Sequence, residues 1–475
     1  MNLNDIRKLS VFLIIGLIVG MSFFQMSSGY TNLNTLYNRV ELWDSTTNPP
    51  YNDMDVVDGT LHIHDDISLA VEFVAENGTV SVHSGTYSAS KTGLIIDKSL
   101  QLAGENNETT IVKSSSKAPF VFGIQSKGVT VKNFNITGSC SPHEPQSTQA
   151  GIRISLKYNL HYPQIIISNN IITKNMNGIF SEWATTSSCS GISVLICNNT
   201  IFNNMKDGVI THGVPSQISN NTIYNHIESG IDIWGGHNCL IESNNIYNNN
   251  LDGIWIDMSK NNIVVNNTIT KNLRNGITFF DSKFSLMSPA QYSEDNIIEN
   301  NIISSNTQAG LYLYHAKNNI VKYNTIENNG QVGLIISTYR NFSTYRKETH
   351  PSSKLNKINY NNFINNGRRG DNNIVDTWWD SKNSYNYNHW SNYMDRYKKE
   401  NYIDEAIDDP TGCVRNSTWR QSYKIPFYFF GLRLNFLSKN EDKHPYARIN
   451  GWGPYVPETP ELEPTSGAAI TFVNT

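Results

Sequence analysis

"NNTITKNLRNGITFF", residues Asn266 to Phe280, sets amides beside isoleucines and contains neither a helical stripe nor a clean strand alternation. Variants of this stretch recur through the middle of the chain. Aligned on a glycine followed by an apolar residue, they fall at Gly208, Gly230, Gly253 and Gly276, with gaps of 22, 23 and 23 residues. Gly310 to Gly333 is again 23. A second register places an asparagine just ahead of a short apolar-centred run, at Asn170, Asn199, Asn221, Asn245, Asn267, Asn301, Asn324 and Asn362. A fixed period of this length signals a solenoid.

After each glycine the pattern alternates strictly, as in Ile231 and Ile233, Ile254 and Ile256, Ile277 and Phe279, Leu311 and Leu313, Leu334 and Ile336. Alternation of this kind puts those side chains on one face of a strand and the residues between them on the other. A repeat of 22 residues is too short for a strand, a crossover helix and their loops. It suits three short strands per coil, with coils stacked about 4.8 Å apart. The chain is therefore predicted to be all-β, a right-handed parallel β-helix. Asparagine tolerates left-handed backbone angles at tight turns. Its amide both donates and accepts, so stacked copies can bond along the axis as a ladder. The opening stretch reads as one corner of such a coil.

A solenoid exposes two raw sheet edges. At one end "DISLAVEFVAE", Asp66 to Glu76, reads as an amphipathic capping helix with Asp66 as its N-cap. At the other, "DTWWDSKNSYNYNHWSNY", Asp376 to Tyr393, reads as an aromatic cap. The implied organisation is a signal peptide at 1–29, an N-terminal extension at 30–65, the β-helix with its capping helix at 66–375, a C-terminal cap at 376–447 and a Pro- and Glu-rich tail at 448–475. The signal assignment rests on Arg7 and Lys8, the apolar run Leu9–Phe24, and the small residues Ser27-Ser28-Gly29. No later apolar run is long enough to span a bilayer. Secretion or display at the cell surface follows. Eight sequons (Asn77, Asn107, Asn135, Asn198, Asn220, Asn266, Asn341 and Asn416) fit an exported glycoprotein. Five cysteines show no metal-type spacing, and a net charge of −4 with 16% charged residues offers no field for nucleic acid.

The two registers locate the insertions. From register asparagine to the next glycine the distance is always 8 or 9; from glycine to the next asparagine it is 13 to 15 in lean coils but 19, 21, 25 and 29 elsewhere. Every insertion thus lies just after the glycine-led strand, and loops on one face of a solenoid commonly mark its binding face. Two and four residues past each glycine, the outward positions include Glu182, His212, Asp232, Trp234, Trp255, Asp257, Phe280, Tyr312 and Tyr314. Rings flanked by carboxylates suit sugar, whose apolar face stacks while its hydroxyls bond the acids. Trp234, Trp255, Phe280, Tyr312 and Tyr314 are the candidate carbohydrate-binding residues. The competing reading folds the inserted loops over these rings as a satellite core. Asp232 and Asp257, on neighbouring coils and offset by two residues, come out about 8 Å apart at Cα, a spacing compatible with an inverting pair of carboxylates. Glu182 and His212 are further catalytic candidates. His237 and His315, just past the strand, read as turn residues.

"GTVSVHSGTY" (Gly78–Tyr87), "GLIIDKSLQLAGEN" (Gly93–Asn106) and the Asn-rich coils resemble the NosD-type family of the carbohydrate-binding and sugar-hydrolase β-helices. "YNYNHWSNY" (Tyr385–Tyr393), "SYKIP" (Ser422–Pro426) and "NEDKHP" (Asn440–Pro445) are similar to the tryptophan-bearing closing segment of archaeal surface members. The resemblance implies a pectin-lyase-like solenoid. The family's namesake assists copper-site maturation of nitrous oxide reductase; many relatives resemble extracellular proteins of no assigned activity. Two departures stand out. The acidic Asp-Gly loop that would take calcium is reduced to "IDEAIDDP" (Ile403–Pro410), and no Met/His/Cys cluster offers copper its soft or imidazole ligands. No metal site and no cofactor is expected, calcium being the one left open. Three functions follow: a surface β-helix that binds an extracellular glycan or cell-surface polymer, a polysaccharide hydrolase, lyase or epimerase using the same groove, and a copper-maturation accessory. The first is the reading taken forward.

Overall fold

The computed structural model describes residues 35–140, 148–155, 165–181, 194–280, 293–337, 353 and 355–367, together with the strands 374–376, 384–386, 389–390, 419–429 and 432–442. The signal segment, the tail, the acidic loop at 403–410 and most of the aromatic cap lie outside the described residues.

Short strands stack into three long sheets of 15, 12 and 11 strands, and successive coils add one strand to each. The pairing is parallel and in register, as in Ile241↔Val264, Ile246↔Ile269 and Ile254↔Ile277. The winding is right-handed, the hand that parallel connections within a sheet take in nearly all cases. Three-residue strands of the first two sheets turn only the middle side chain inward, such as Ile241 and Ile246. Strands of the third sheet turn two inward, such as Ile254 and Ile256. These inward columns are fully buried, each side chain contributing roughly 1.5–3 kcal/mol of hydrophobic stabilisation.

The repeat glycines face the same interior. A Cβ on Gly253 would lie 2.4 Å from Ile269 Cγ2 and 2.7 Å from the carbonyl oxygen of Gly276, so only glycine lets the coils approach this closely.

The corners resolve what the amides do. Each is a pair of consecutive residues with separate tasks. The first takes the left-handed conformation, as Asn266 (φ 57°) and Lys271 (φ 57°) do. The second is buried and forms the rung, as Asn267 and Asn272 do. Asn266 to Phe280 therefore holds two corners and two strands rather than one corner. In the first column the rungs are Asn170, Asn199, Asn221, Asn244, Asn267, Asn301, Asn324 and Asn361, each side-chain amide donating to the next at 2.9–3.1 Å. Two of the expected ladder positions, Asn245 and Asn362, stand one residue beyond the rung. At both places Ser243 and Tyr360 take the left-handed step, so the Asn doublet slides one position. Asn245 opens an exposed strand position, and Asn362 donates to Thr325 Oγ1.

Two further columns had not been read from the sequence. One runs Asn175, Asn204, His226, Asn249, Asn272, Asn306, Asn329 and Asn366. The other runs Cys239, Asn262, Asn296, Asn319 and Asn356. From Cys239 to Asn244 to Asn249 the corners are five residues apart, and Asn262, Asn267 and Asn272 repeat that spacing. Apart from one residue ahead of Gly178, the variation in coil length therefore falls on the arc after the third sheet.

At the N-terminal end, α1 (Ile67–Phe73) buries Ile67, Ala70, Val71 and Phe73, and Asp66 caps it by accepting from the amides of Ser68 and Leu69 at 2.9 and 3.0 Å. The helix stops three residues before Glu76, where a longer one was expected. Val74 pairs instead with Tyr37 in the first sheet, and this pairing overrides the helical period. The segment read as a separate extension also belongs to that sheet: strands Tyr37–Trp43 and Thr60–His64 prolong it, and Val56–Val57 closes it antiparallel.

Candidate functional site

The outer face of the third sheet carries two side-chain columns. One runs Phe180, Ile210, Asp232, Trp255, Thr278 and Tyr312; the other runs His212, Trp234, Asp257 and Phe280. Asp232 and Trp234 share one strand, Trp255 and Asp257 the next, and the pairs Asp232↔Trp255 and Trp234↔Asp257 lie directly opposite. The result is a checkerboard of two acids and two indoles on the lean coils. Each acid is diagonal to the other, as the offset of two residues requires. Glu182 lies outside the described residues.

The rings extend in both directions from this square. His212 meets Phe180 and Trp234 edge-on at 5.1 and 5.0 Å between centroids. Trp255 lies 4.8 Å from Phe280, which stacks on Tyr314 at 4.7 Å, with Tyr312 6.0 Å from Tyr314. The Arg274 guanidinium sits 4.7 Å from the Trp255 ring. Aromatic faces are thus partly satisfied by one another, and Phe180, Ile210, Asp257 and Thr278 are buried. Asp232, Trp234, Trp255, Phe280, Tyr312 and Tyr314 keep part of their surface in the open. His315 takes a left-handed turn conformation (φ 50°), and His237 Nδ1 accepts the backbone N–H of Lys260 at 3.0 Å.

Three more acids approach the square, and the outward alternation could not have found them. Asp207 and Asp252 each precede a repeat glycine, and both are buried. Each accepts a backbone N–H from the next coil: Asp207 from Ser229 at 2.7 Å, Asp252 from Asn275 at 3.0 Å. The residue before the glycine is a register of its own, and "DG" at 207–208 and 252–253 was its signal. Glu228 completes the group and pairs with Lys206 at 3.6 Å, while Arg274 pairs with Asp252.

Their proximity shows in proton affinity. Burial pushes the Asp232 carboxyl up to about 7, and the negative fields of Asp257, Glu228 and Asp252 add to it. Asp207 is likewise held well above the ordinary carboxylate range, by burial first and then by Asp232 and Glu228. The residue Asp232 keeps a partly open surface, yet its Oδ1 is enclosed and has no hydrogen-bond partner among the described residues. A buried unpaired acceptor costs about 1–3 kcal/mol. Protonated, Asp232 can donate a hydrogen bond.

Fold and face together define a right-handed parallel β-helix with one aromatic, acid-lined side. The sequence matches the family described as periplasmic copper-binding protein (NosD) over residues 76–283 and again over 198–402. The chain belongs to the NosD family. Among solved structures it is similar to the A-module of mannuronan C-5 epimerase AlgE4 from Azotobacter vinelandii, with TM-score 0.54 and 16% identity over 73% of this chain and 94% of that one. The Dettilon tailspike protein gives 0.52 and 17% over 84% and 76%, and the Agl-KA catalytic domain 0.50 and 14% over 76% and 66%. At these identities the likeness establishes the fold. No curated protein matches the sequence.

Copper, named in the family's description, wants soft or imidazole donors. Among the described residues no three His, Cys, Asp or Glu side chains are arranged to hold a metal ion. Cys140, Cys197 and Cys239 are free thiols, and Cys239 stands in a corner column with its thiol toward the Val214 carbonyl. The donor set among the described residues does not fit copper. Among the described residues no helix is long and apolar enough to cross a membrane.

Proposed function

We propose that the protein is exported and binds carbohydrate across the outer face of its third sheet. The observation that supports this reading is the Asp232/Trp234/Trp255/Asp257 square on the lean coils, in which Asp232 and both indoles keep part of their surface open, continued by Phe280, Tyr312 and Tyr314. Indoles offer apolar ring surface to a sugar, and the carboxyls beside them bond its hydroxyls. The family's periplasmic description agrees with export, and a fold shared with a mannuronan epimerase agrees with a polymer lying along a solenoid. The test is binding to a panel of soluble polysaccharides by the wild type and by Trp234→Ala/Trp255→Ala, with circular dichroism to confirm that the variant stays folded. The double variant should lose binding; retention of full affinity would move the site off this face.

A second reading, acid–base chemistry on the bound polymer, is favoured by Asp232 alone. A carboxyl raised to about 7 in a face open to ligand suits a general acid, and a second carboxyl lies diagonal to it. Asp232→Asn should then abolish release of reducing ends while glycan is still retained. A wild type that retains glycan and releases nothing over long incubation is a binding module.

A further inference from the structure

We infer that the groove is built for a glycan carrying protonated amino groups and discriminates against uronates. The inference rests on the carbohydrate-binding reading above. Asp207, Glu228, Asp252 and Asp257 all lie within electrostatic reach of Asp232. Among the described residues the cations beside them are Lys206 and Arg274, and each is already committed to an acid of the group. Arg274 is drawn further aside over the Trp255 ring. The acids therefore outnumber the cations that could balance them.

Three observations turn this excess into a ligand preference. The first is the enclosed, unpartnered Oδ1 of Asp232, at the centre of the group. The second is the reluctance of Asp207 and Asp232 to ionise, each pushed upward by the other acids as well as by burial. A cation delivered between them relieves both effects. The third is the layout. Asp232 and Asp257 are diagonal across two strands rather than gathered around a point, and among the described residues no set of donors is arranged for a metal ion. A spread field of this kind suits a charge carried on a ring. An aminosugar can lay its apolar face on Trp234 or Trp255 and direct its ammonium to Asp232. A uronate in the same place would add a negative charge to a field that already resists ionisation.

The experiment is isothermal titration of the full-length protein with glucosamine oligomers, their N-acetylated counterparts, cello-oligosaccharides and galacturonate oligomers. All are run below the pKa of the sugar amine and in two buffers of different ionisation enthalpy. Glucosamine oligomers should bind at least about tenfold tighter than the neutral ones, equivalent to about 1.4 kcal/mol. They should also release protons as Asp232 ionises, and galacturonate oligomers should bind weakest. Asp232→Asn should remove the preference. Glu299→Gln, on the first sheet and paired with Lys322, should keep it. Equal binding of amino and neutral sugars, tight uronate binding, or a preference that survives Asp232→Asn would overturn the inference and leave the groove reading standing. Binding of no oligomer would overturn both.

Discussion

Asn244 and Asn245 are adjacent, identical in chemistry and opposite in consequence. The Asn244 side chain is buried. Its Oδ1 accepts both the backbone N–H and the amide of Asn221 at 3.0 Å. Its Nδ2 donates to the Ile218 carbonyl at 2.8 Å and to Asn267 Oδ1 at 3.0 Å. In Asn244→Ala the amide of Asn221 retains the Ile196 and Ser219 carbonyls as acceptors, but its backbone N–H loses its partner in a site closed to water. One orphaned buried donor costs about 1–3 kcal/mol, and the vacated volume adds to it, so a loss of roughly 2–4 kcal/mol is expected. Asn245 is exposed and opens a strand, so Asn245→Ala should stay within about 0.5 kcal/mol of the wild type. Urea unfolding of the two variants, followed by circular dichroism and tryptophan fluorescence, gives the comparison directly. Equal midpoints for both, or a larger loss at Asn245, would refute the assignment of rung and strand positions.

Two further outcomes follow from the interior. His226 takes an asparagine's place in the second column, accepting the Asn204 N–H at Nδ1 (3.3 Å) and facing the Ile201 carbonyl at Nε2 (3.2 Å). Burial lowers its pKa from 6.5 to about 4, so the unfolded chain takes up a proton in this window that the folded chain refuses. Its contribution is intact above about 6.5 and is lost as pH falls toward about 4, an effect on the order of 3 kcal/mol. His226→Asn should gain on the wild type by that amount between neutral and acidic urea titrations, and a constant difference would exclude the mechanism. Gly253→Ala places a methyl against Ile269 and the Gly276 carbonyl, and should lower stability by about 1–3 kcal/mol or more, read as a fall in Tm; an unchanged Tm would show that the coils can separate there.

The solenoid was legible because its period is carried by residues with no substitute. Gly208, Gly230, Gly253 and Gly276 mark where coils touch, and alternation after each one identifies the inward pair. The corners were legible only to within one residue. In doublets such as Asn266-Asn267 the turn and the rung have the same letter, so the sequence does not say which amide does which. Ser243 and Tyr360 settle it, because neither can be a rung there and both take the left-handed step. The second column was obscured by mixed letters at its turns, Lys174, Lys271 and Ser305, and by a histidine among its rungs. On the outer face, the Asp/Trp square was legible from alternation alone. Asp207 and Asp252 were not, because they belong to the bend ahead of the strand, where period-two reasoning does not apply. The helix at Asp66 was found by its cap and overrun at its end, since strand pairing at Val74 leaves no local mark.

The corner columns have one more consequence. The hydrogen bond from Asn267 Nδ2 to Asn301 Oδ1 joins residues 34 apart, and that from Asn244 Nδ2 to Asn267 Oδ1 joins residues 23 apart, yet both measure 3.0 Å. What the frame conserves is the number of turns, and it is indifferent to the amount of chain paid out between them. A gene could therefore lengthen, shorten or replace the segment after any third-sheet strand without a compensating change elsewhere, provided the next corner pair survives. The arc after the third sheet is in this way free to change faster than the corners and strands that hold each coil.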